Sequence, residues 1–228
     1  MAFSRRDFIR TGVGTAVTAA ASDGQMLQDD KAKPVEPGKA LPQDRMPEIP
    51  AEKMTEAQKK AAEEFAAGRK TPVFGPFVPL LRSPDVMLRA KAMGDYLRFN
   101  SKLNPKVSEF AILITARHWA QNYIWAVHFP AAINAGLGSQ MLEQLADGRN
   151  PKPTYESEQL CYDFCTELLQ NQSISDATYS WAVTKFGEQG VIDLVGIVGY
   201  YTFLSLIMNT TRTALPKDAK PVLPLFPH

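Results

Sequence analysis

The stretch Glu109 to Leu137, EFAILITARHWAQNYIWAVHFPAAINAGL, holds the side chains best suited to chemistry. Glu109 stands at the head of an apolar helical pattern. His118 and His128, two of the chain's three histidines, follow beside Tyr123 and Trp125. A carboxylate, imidazoles and aromatic walls are the parts of a proton-transfer site. The candidate catalytic pair is Glu109 and His128, with Arg117, His118, Tyr123 and Trp125 as candidate substrate-binding residues. Each also has a plainer reading. Glu109 can serve a helix dipole, and His128 can be a core histidine bonded to a backbone carbonyl. Arg117 can be an ion-pair partner, and the aromatics can be part core and part pocket wall.

The elements around these residues must bring them together. On one straight helix Glu109 and His128 would lie about 28 Å apart, at roughly 1.5 Å per residue. A turn at Ala120-Gln121 lets a second helix fold back, with Asn122 as its expected cap. His118 lies nearer that turn and rivals His128 as the key imidazole.

The residues that frame the pair resemble the carboxymuconolactone decarboxylase family, which includes the alkylhydroperoxidase D-type enzymes. The resemblance rests on Glu109, the AILITAR run, Trp125-Ala126-Val127-His128 and Ala135-Gly136-Leu137. Ser83-Pro84, Gly94-Asp95-Tyr96-Leu97-Arg98-Phe99 and the stretch from Asp193 to Asn209 extend it over roughly residues 45 to 216. Redox members carry Cys-x-x-Cys-x-x-x-His with a Glu before the first Cys. Here the two Cys positions fall on Gln121 and Ile124, so no thiolate can form there. The resemblance thus implies an all-α, compact alkylhydroperoxidase D-like bundle and a cofactor-free lyase or isomerase acting on a small carboxylated, unsaturated lactone or carbonyl compound. A peroxiredoxin-like hydroperoxidase and a non-catalytic binding protein on the same fold are the alternatives. The resemblance also implies homotrimers or homohexamers.

The rest of the chain reads as helices. They are expected over Thr55 to Ala67 (capped by Thr55, stopped by Gly68), Pro84 to Phe99, Pro105 to Trp119, and from Asn122 with a kink or restart at Pro130. Later ones are Ser139 to Ala146, Tyr155 to Gln170, Ser175 to Phe186 and Gly187 to Asn209. Thr71 to Pro79, with Pro72, Gly75, Pro76 and Pro79, reads as an extended loop. Val107 to Ile112 and Val191 to Gly196 share an apolar, acid, apolar pattern, a degenerate internal repeat. The run from Val191 to Met208 is apolar on nearly all sides, which calls for burial all round, in part against another subunit.

Ser4-Arg5-Arg6-Asp7-Phe8-Ile9-Arg10 has the form of a twin-arginine export signal, with Ala19-Ala20-Ala21 as a cleavage site. The expected organisation is a signal at 1–21, a flexible linker at 22–50, a domain at 51–216 and a Pro-rich tail at 217–228, with a periplasmic location and no stable membrane insertion after cleavage. The formal charge of +1 gives no polyelectrolyte footprint, so no nucleic acid is expected. No metal-ligand spacing occurs, and no cofactor is expected. Cys161 and Cys165 read as buried small hydrophobes, since an i,i+4 disulfide on a helix would be strained.

Overall fold

A computed structural model describes residues 44–220, 222 and 223. The signal, most of the linker and the last residues of the tail lie outside the described residues. Among the described residues all regular structure is helical, which agrees with the all-α expectation.

The chain enters along an extended strap. Arg45 N–H donates to the Thr211 carbonyl at 2.8 Å, and Arg82 Nη2 to the Pro47 carbonyl at 2.8 Å. Helix α1 (Glu56–Arg69) follows. Thr55 caps it in a capping box, with the Gln58 side chain returning a bond to the Thr55 N–H. The stop is Lys70, at φ 56°, and not Gly68. Gly68 instead lies inside the helix where α3 comes close: a Cβ there would stand 2.7 Å from Lys91 Nζ.

The Pro-rich segment is not extended throughout. Its end winds into a short helix, α2 (Phe77–Leu80), because Phe77, Pro79 and Leu80 are all buried there. Proline is tolerated in a first turn, where its missing N–H is no loss. Helix α3 (Pro84–Phe99) opens on Pro84 and buries Met87, Ala90, Gly94 and Leu97, one stripe at helical spacing.

Helix α4 (Pro105–His118) is the central element. Asn104 caps it, accepting from Lys106 N–H at 2.9 Å, and residues from Val107 to Arg117 are buried with the exception of Glu109. It packs on α5 (Asn122–Asn134), α7 (Glu156–Asn171) and α8 (Asp176–Thr211). Helix α6 (Ser139–Ala146) closes one end. The core centres on Phe110, Leu113, Leu142, Leu160, Phe164 and Leu194.

Two expectations change at α5. Its cap is Gln121, whose Oε1 accepts from Tyr123 N–H at 2.7 Å. Asn122 makes a longer connection. Its Oδ1 accepts from Val222 and Leu223 N–H at 2.7 and 2.8 Å, which pins the C-terminal segment. Of the kink or restart expected at Pro130, the restart does not occur: the helix runs on through it.

Helix α8 is interrupted at Gly187, at φ 71° and ψ 168°, as the sequence division there anticipates. It is long and apolar enough to cross a membrane by length and composition, and it packs against α3, α4 and α7. It is not buried all round in the single chain. Ile192, Val195 and Leu206 are exposed, Ile192 by 70%.

Candidate active site

The turn between α4 and α5 sets the site. Ala120 takes a left-handed conformation at φ 48°, and Gln121 N–H donates to the Ala116 carbonyl at 2.8 Å. This reverses the chain, so α5 returns along α4. Glu109 Oε2 and His128 Nδ1 then meet at 2.7 Å. A carboxylate can only accept, so Nδ1 carries the hydrogen and Nε2 keeps its lone pair.

The other side of the imidazole faces α8. Tyr201 Oη lies 3.2 Å from Nε2, and the two rings meet edge-on at 5.1 Å. The hydroxyl donates to a neutral Nε2 and can turn to accept from a protonated one. Glu109, His128 and Tyr201 thus form one hydrogen-bonded chain across α4, α5 and α8.

Burial governs the protonation of this chain. It pushes the His128 imidazole below its ordinary 6.5; the Glu109 bond and charge pull it back up, and the Arg98 charge pushes it down again. The resting imidazole is therefore neutral at pH 7, with a lone pair on Nε2. Burial pushes the Tyr201 phenol far up, and Tyr200 up to about 12, so both remain phenols.

His128 and Tyr201 line a cleft of about 50 Å³. That is room for about one or two waters, each taking roughly 30 Å³ of the liquid. Phe77, Tyr123, Ile124, Tyr200, Arg69 and Arg98 complete much of its wall. A larger groove of about 550 Å³ runs beside the strap, walled by Ile49, Met54, Ala62, Val73, Val78 and Leu81. It contains neither Glu109 nor His128, and its wall has no acid–imidazole pair. The small cleft is where the chemistry can occur.

The candidate substrate-binding residues divide among three places. Tyr123 lines the cleft and Trp125 is buried core, 2% exposed. Arg117 and His118 line a different cavity, with Arg117 Nε donating to the Leu145 carbonyl at 3.2 Å. Nine residues at 3.6 per turn put His118 half a turn from Glu109 on α4. Arg117 is about two turns, roughly 12 Å, along the axis from Glu109, and its Nε is held at the Leu145 carbonyl. Neither residue lines the His128 cleft.

Arg69, Arg98, Tyr200 and Tyr201 are cleft residues that the motif leaves without a role. Arg69, from α1, has no sequence signal of its own; Arg98, from α3, stands in the Gly94–Phe99 stretch of the resemblance, which assigns it no role. Tyr200 is tied to Gly94: a Cβ on Gly94 would stand 2.3 Å from the Tyr200 Oη. Gln121, at the first Cys position of the redox motif, caps α5 and donates through Nε2 to Asn209 Oδ1 at 2.7 Å. Asn209 in turn donates to the Trp119 carbonyl at 3.0 Å. Asp193, the acid of the second half-pattern, accepts from Tyr96 Oη, Ser101 Oγ and Lys102 N–H, and so anchors the α3–α4 connection.

Among the described residues no cluster of three or more His, Cys, Asp or Glu side chains could hold a metal ion. Comparison of the sequence with known families and with curated proteins finds no matching family model and no matching protein.

Proposed function

We propose that this chain is a carboxymuconolactone decarboxylase-like enzyme that moves protons on a small unsaturated, carboxylated lactone or carbonyl compound without a cofactor. The observation that carries the reading is the pair of half-buried Glu109 and buried His128 at 2.7 Å, with Tyr201 on the remaining ring nitrogen. His128 Nε2 is the atom that exchanges a proton with substrate carbon, and Glu109 orients the ring and stabilises the imidazolium. In an isomerisation the neutral Nε2 takes the proton from one carbon and returns it to another. In a decarboxylation the bond to the carboxylate carbon breaks and carbon dioxide leaves. The electron pair stays on a carbon conjugated with the carbonyl. His128, neutral at rest, takes a proton from solvent at Nε2 and passes it to that carbon, so one proton is consumed per turnover.

Dithiol peroxide reduction is disfavoured by Gln121 and Ile124, one a helix cap and the other buried at 3% exposure. The proposal includes export by the twin-arginine route to the periplasm and assembly as a homotrimer or homohexamer. The exposed apolar stripe Ile192, Val195 and Leu206 supports the assembly. Turnover of a panel of carboxylated lactones, followed by carbon dioxide release and by proton exchange at carbon, tests the activity. Activity that vanishes in Glu109→Gln supports it. Peroxide reduction without lactone turnover overturns it.

A further inference from the structure

The lining of the His128 cleft carries two guanidinium groups, Arg69 and Arg98, and among the described residues no carboxylate. We propose that Arg98, backed by Arg69, is the specificity-determining group of this cleft and captures the carboxylate of a small unsaturated acid at its mouth. The inference rests on the reading of the cleft as a proton-transfer site and names what selects its substrate.

Arg69 is the fixed part of the pair. Its Nε and Nη2 both donate to Asp95 Oδ1, at 3.0 and 2.6 Å, which leaves Nη1 as the nitrogen not engaged by Asp95. The guanidinium also lies over the rings of Phe77 and Phe65, at 4.9 and 5.3 Å. Stacked and paired in this way, it is pre-organised. Asp95 does not neutralise the region, because Lys91 Nζ shares it at 2.8 Å on Oδ2. Lys91, Arg69 and Arg98 thus face two carboxylates, Asp95 and Glu109, of which Glu109 is engaged by His128.

Arg98 is the adjustable part. It is exposed on α3, rests over the Phe99 ring at 5.1 Å and has no ion-pair partner among the described residues. A guanidinium fork matches a carboxylate in two parallel bonds. The cleft itself is too small for a whole substrate, so the reacting carbon enters and the charged group stays outside, where Arg98 is. Arg98 also opposes a proton on His128. A carboxylate docked on Arg98 cancels that opposition, so anion binding and proton uptake by the imidazole favour each other.

The experiment uses two probes of equal shape, 2-furoate and neutral 2-furamide, titrated into the whole protein. The ring signal of His128, assigned by its loss in His128→Asn, is followed by NMR. Furoate is expected to shift this signal and to bind at least about tenfold more tightly than furamide. Arg98→Gln should abolish the preference, Arg98→Lys should keep part of it, and Arg89→Gln, an exposed arginine paired with Asp85 on the same helix, should leave it intact. Equal binding of acid and amide, a preference that survives Arg98→Gln, or no furoate effect on His128 at millimolar concentration would each overturn the proposal. Furoate selection without any lactone turnover keeps this inference and sinks the lyase reading. Turnover that needs Glu109 but ignores Arg98 does the reverse.

Discussion

Glu109 Oε2 and His128 Nδ1 stand 2.7 Å apart although 19 residues separate them in the chain. The contact exists because Ala120 and Gln121 reverse the backbone. It fixes the imidazole tautomer and aims Nε2 at the cleft. Glu109→Gln keeps the size and one hydrogen bond but removes the charge that stabilises the imidazolium. His128→Asn removes the titrating nitrogen. Each substitution should lower kcat by about 10²- to 10⁴-fold, the range typical of acid–base catalysis. Circular dichroism should report an intact fold. Near-wild-type turnover in His128→Asn would remove His128 from the mechanism.

Tyr201 is a separate test of the chain of bonds. Tyr201→Phe keeps the ring, buried at 2% exposure, and deletes only the hydroxyl 3.2 Å from Nε2. Loss of one net hydrogen bond costs about 0.5–1.5 kcal/mol. Denaturant unfolding should show a loss in that range. kcat should fall by about tenfold, the equivalent of roughly 1.4 kcal/mol in a barrier, with a smaller change in KM. A change in KM alone would make Tyr201 a wall of the cleft and nothing more.

Helix periodicity, Pro84 and Pro105 at first turns and Thr55 as a cap are local signals, and each is read directly from sequence. The reversal at Ala120 follows from the distance that Glu109 and His128 must cover. Side chains whose place is set by tertiary contact are not legible in this way. Asn122 has the side chain of a cap, but it binds the backbone of Val222 and Leu223 a hundred residues away. Gly68 has the form of a helix stop, but it makes room for Lys91. Arg69 and Arg98 reach the cleft from α1 and α3; no pattern marks Arg69, and the resemblance includes Arg98 without giving it a role. Nearness in sequence draws Arg117 toward the site, but it stands about two turns along α4 from Glu109 and donates to the Leu145 carbonyl.

Burial of neutral His128 has a consequence for stability. Its folded value lies below the unfolded 6.5, chiefly because burial disfavours the imidazolium. Below pH 6.5 the unfolded chain therefore binds more protons at this residue than the folded one. The contribution is fully present above pH 6.5. It is lost progressively as pH falls from 6.5 toward the lower folded value. Chemical denaturation of wild type and His128→Asn at several pH values checks this. The difference between them should shrink as pH falls through that window, and a difference independent of pH would contradict it.

Cys161 and Cys165 lie on α7 with 0% exposure, and Cys161 Sγ donates to the Val107 carbonyl at 3.5 Å. Burial, with Cys165 beside it, holds the Cys161 thiol well above its usual value, so it is not a thiolate at neutral pH. Thiol chemistry is therefore blocked by burial at both cysteines and, at Cys161, also by protonation. Cys161→Ser/Cys165→Ser should leave lactone turnover unchanged. It should lower stability by about 1–3 kcal/mol for each hydroxyl buried without a good partner. Peroxide reduction that disappears in the double variant would reverse this assignment.

The apolar stripe on α8 gives the last prediction. Ile192, Val195 and Leu206 recur at helical spacing with Gly199 between them, and all four face outward in the single chain. On the neighbouring α3, Val86 and Met93 are exposed by 43% and 45%. Apolar groups gathered across two adjoining helices are costly to leave in water, at about 25 cal/mol for each Å². A second copy of this chain is the partner favoured by the proposed trimeric or hexameric assembly. Ile192→Glu and Leu206→Glu place charges on that stripe without touching the core. Each should shift the protein toward monomer in light scattering, with the helical content preserved. Wild-type protein that is a stable, active monomer at micromolar concentration would remove the interface altogether.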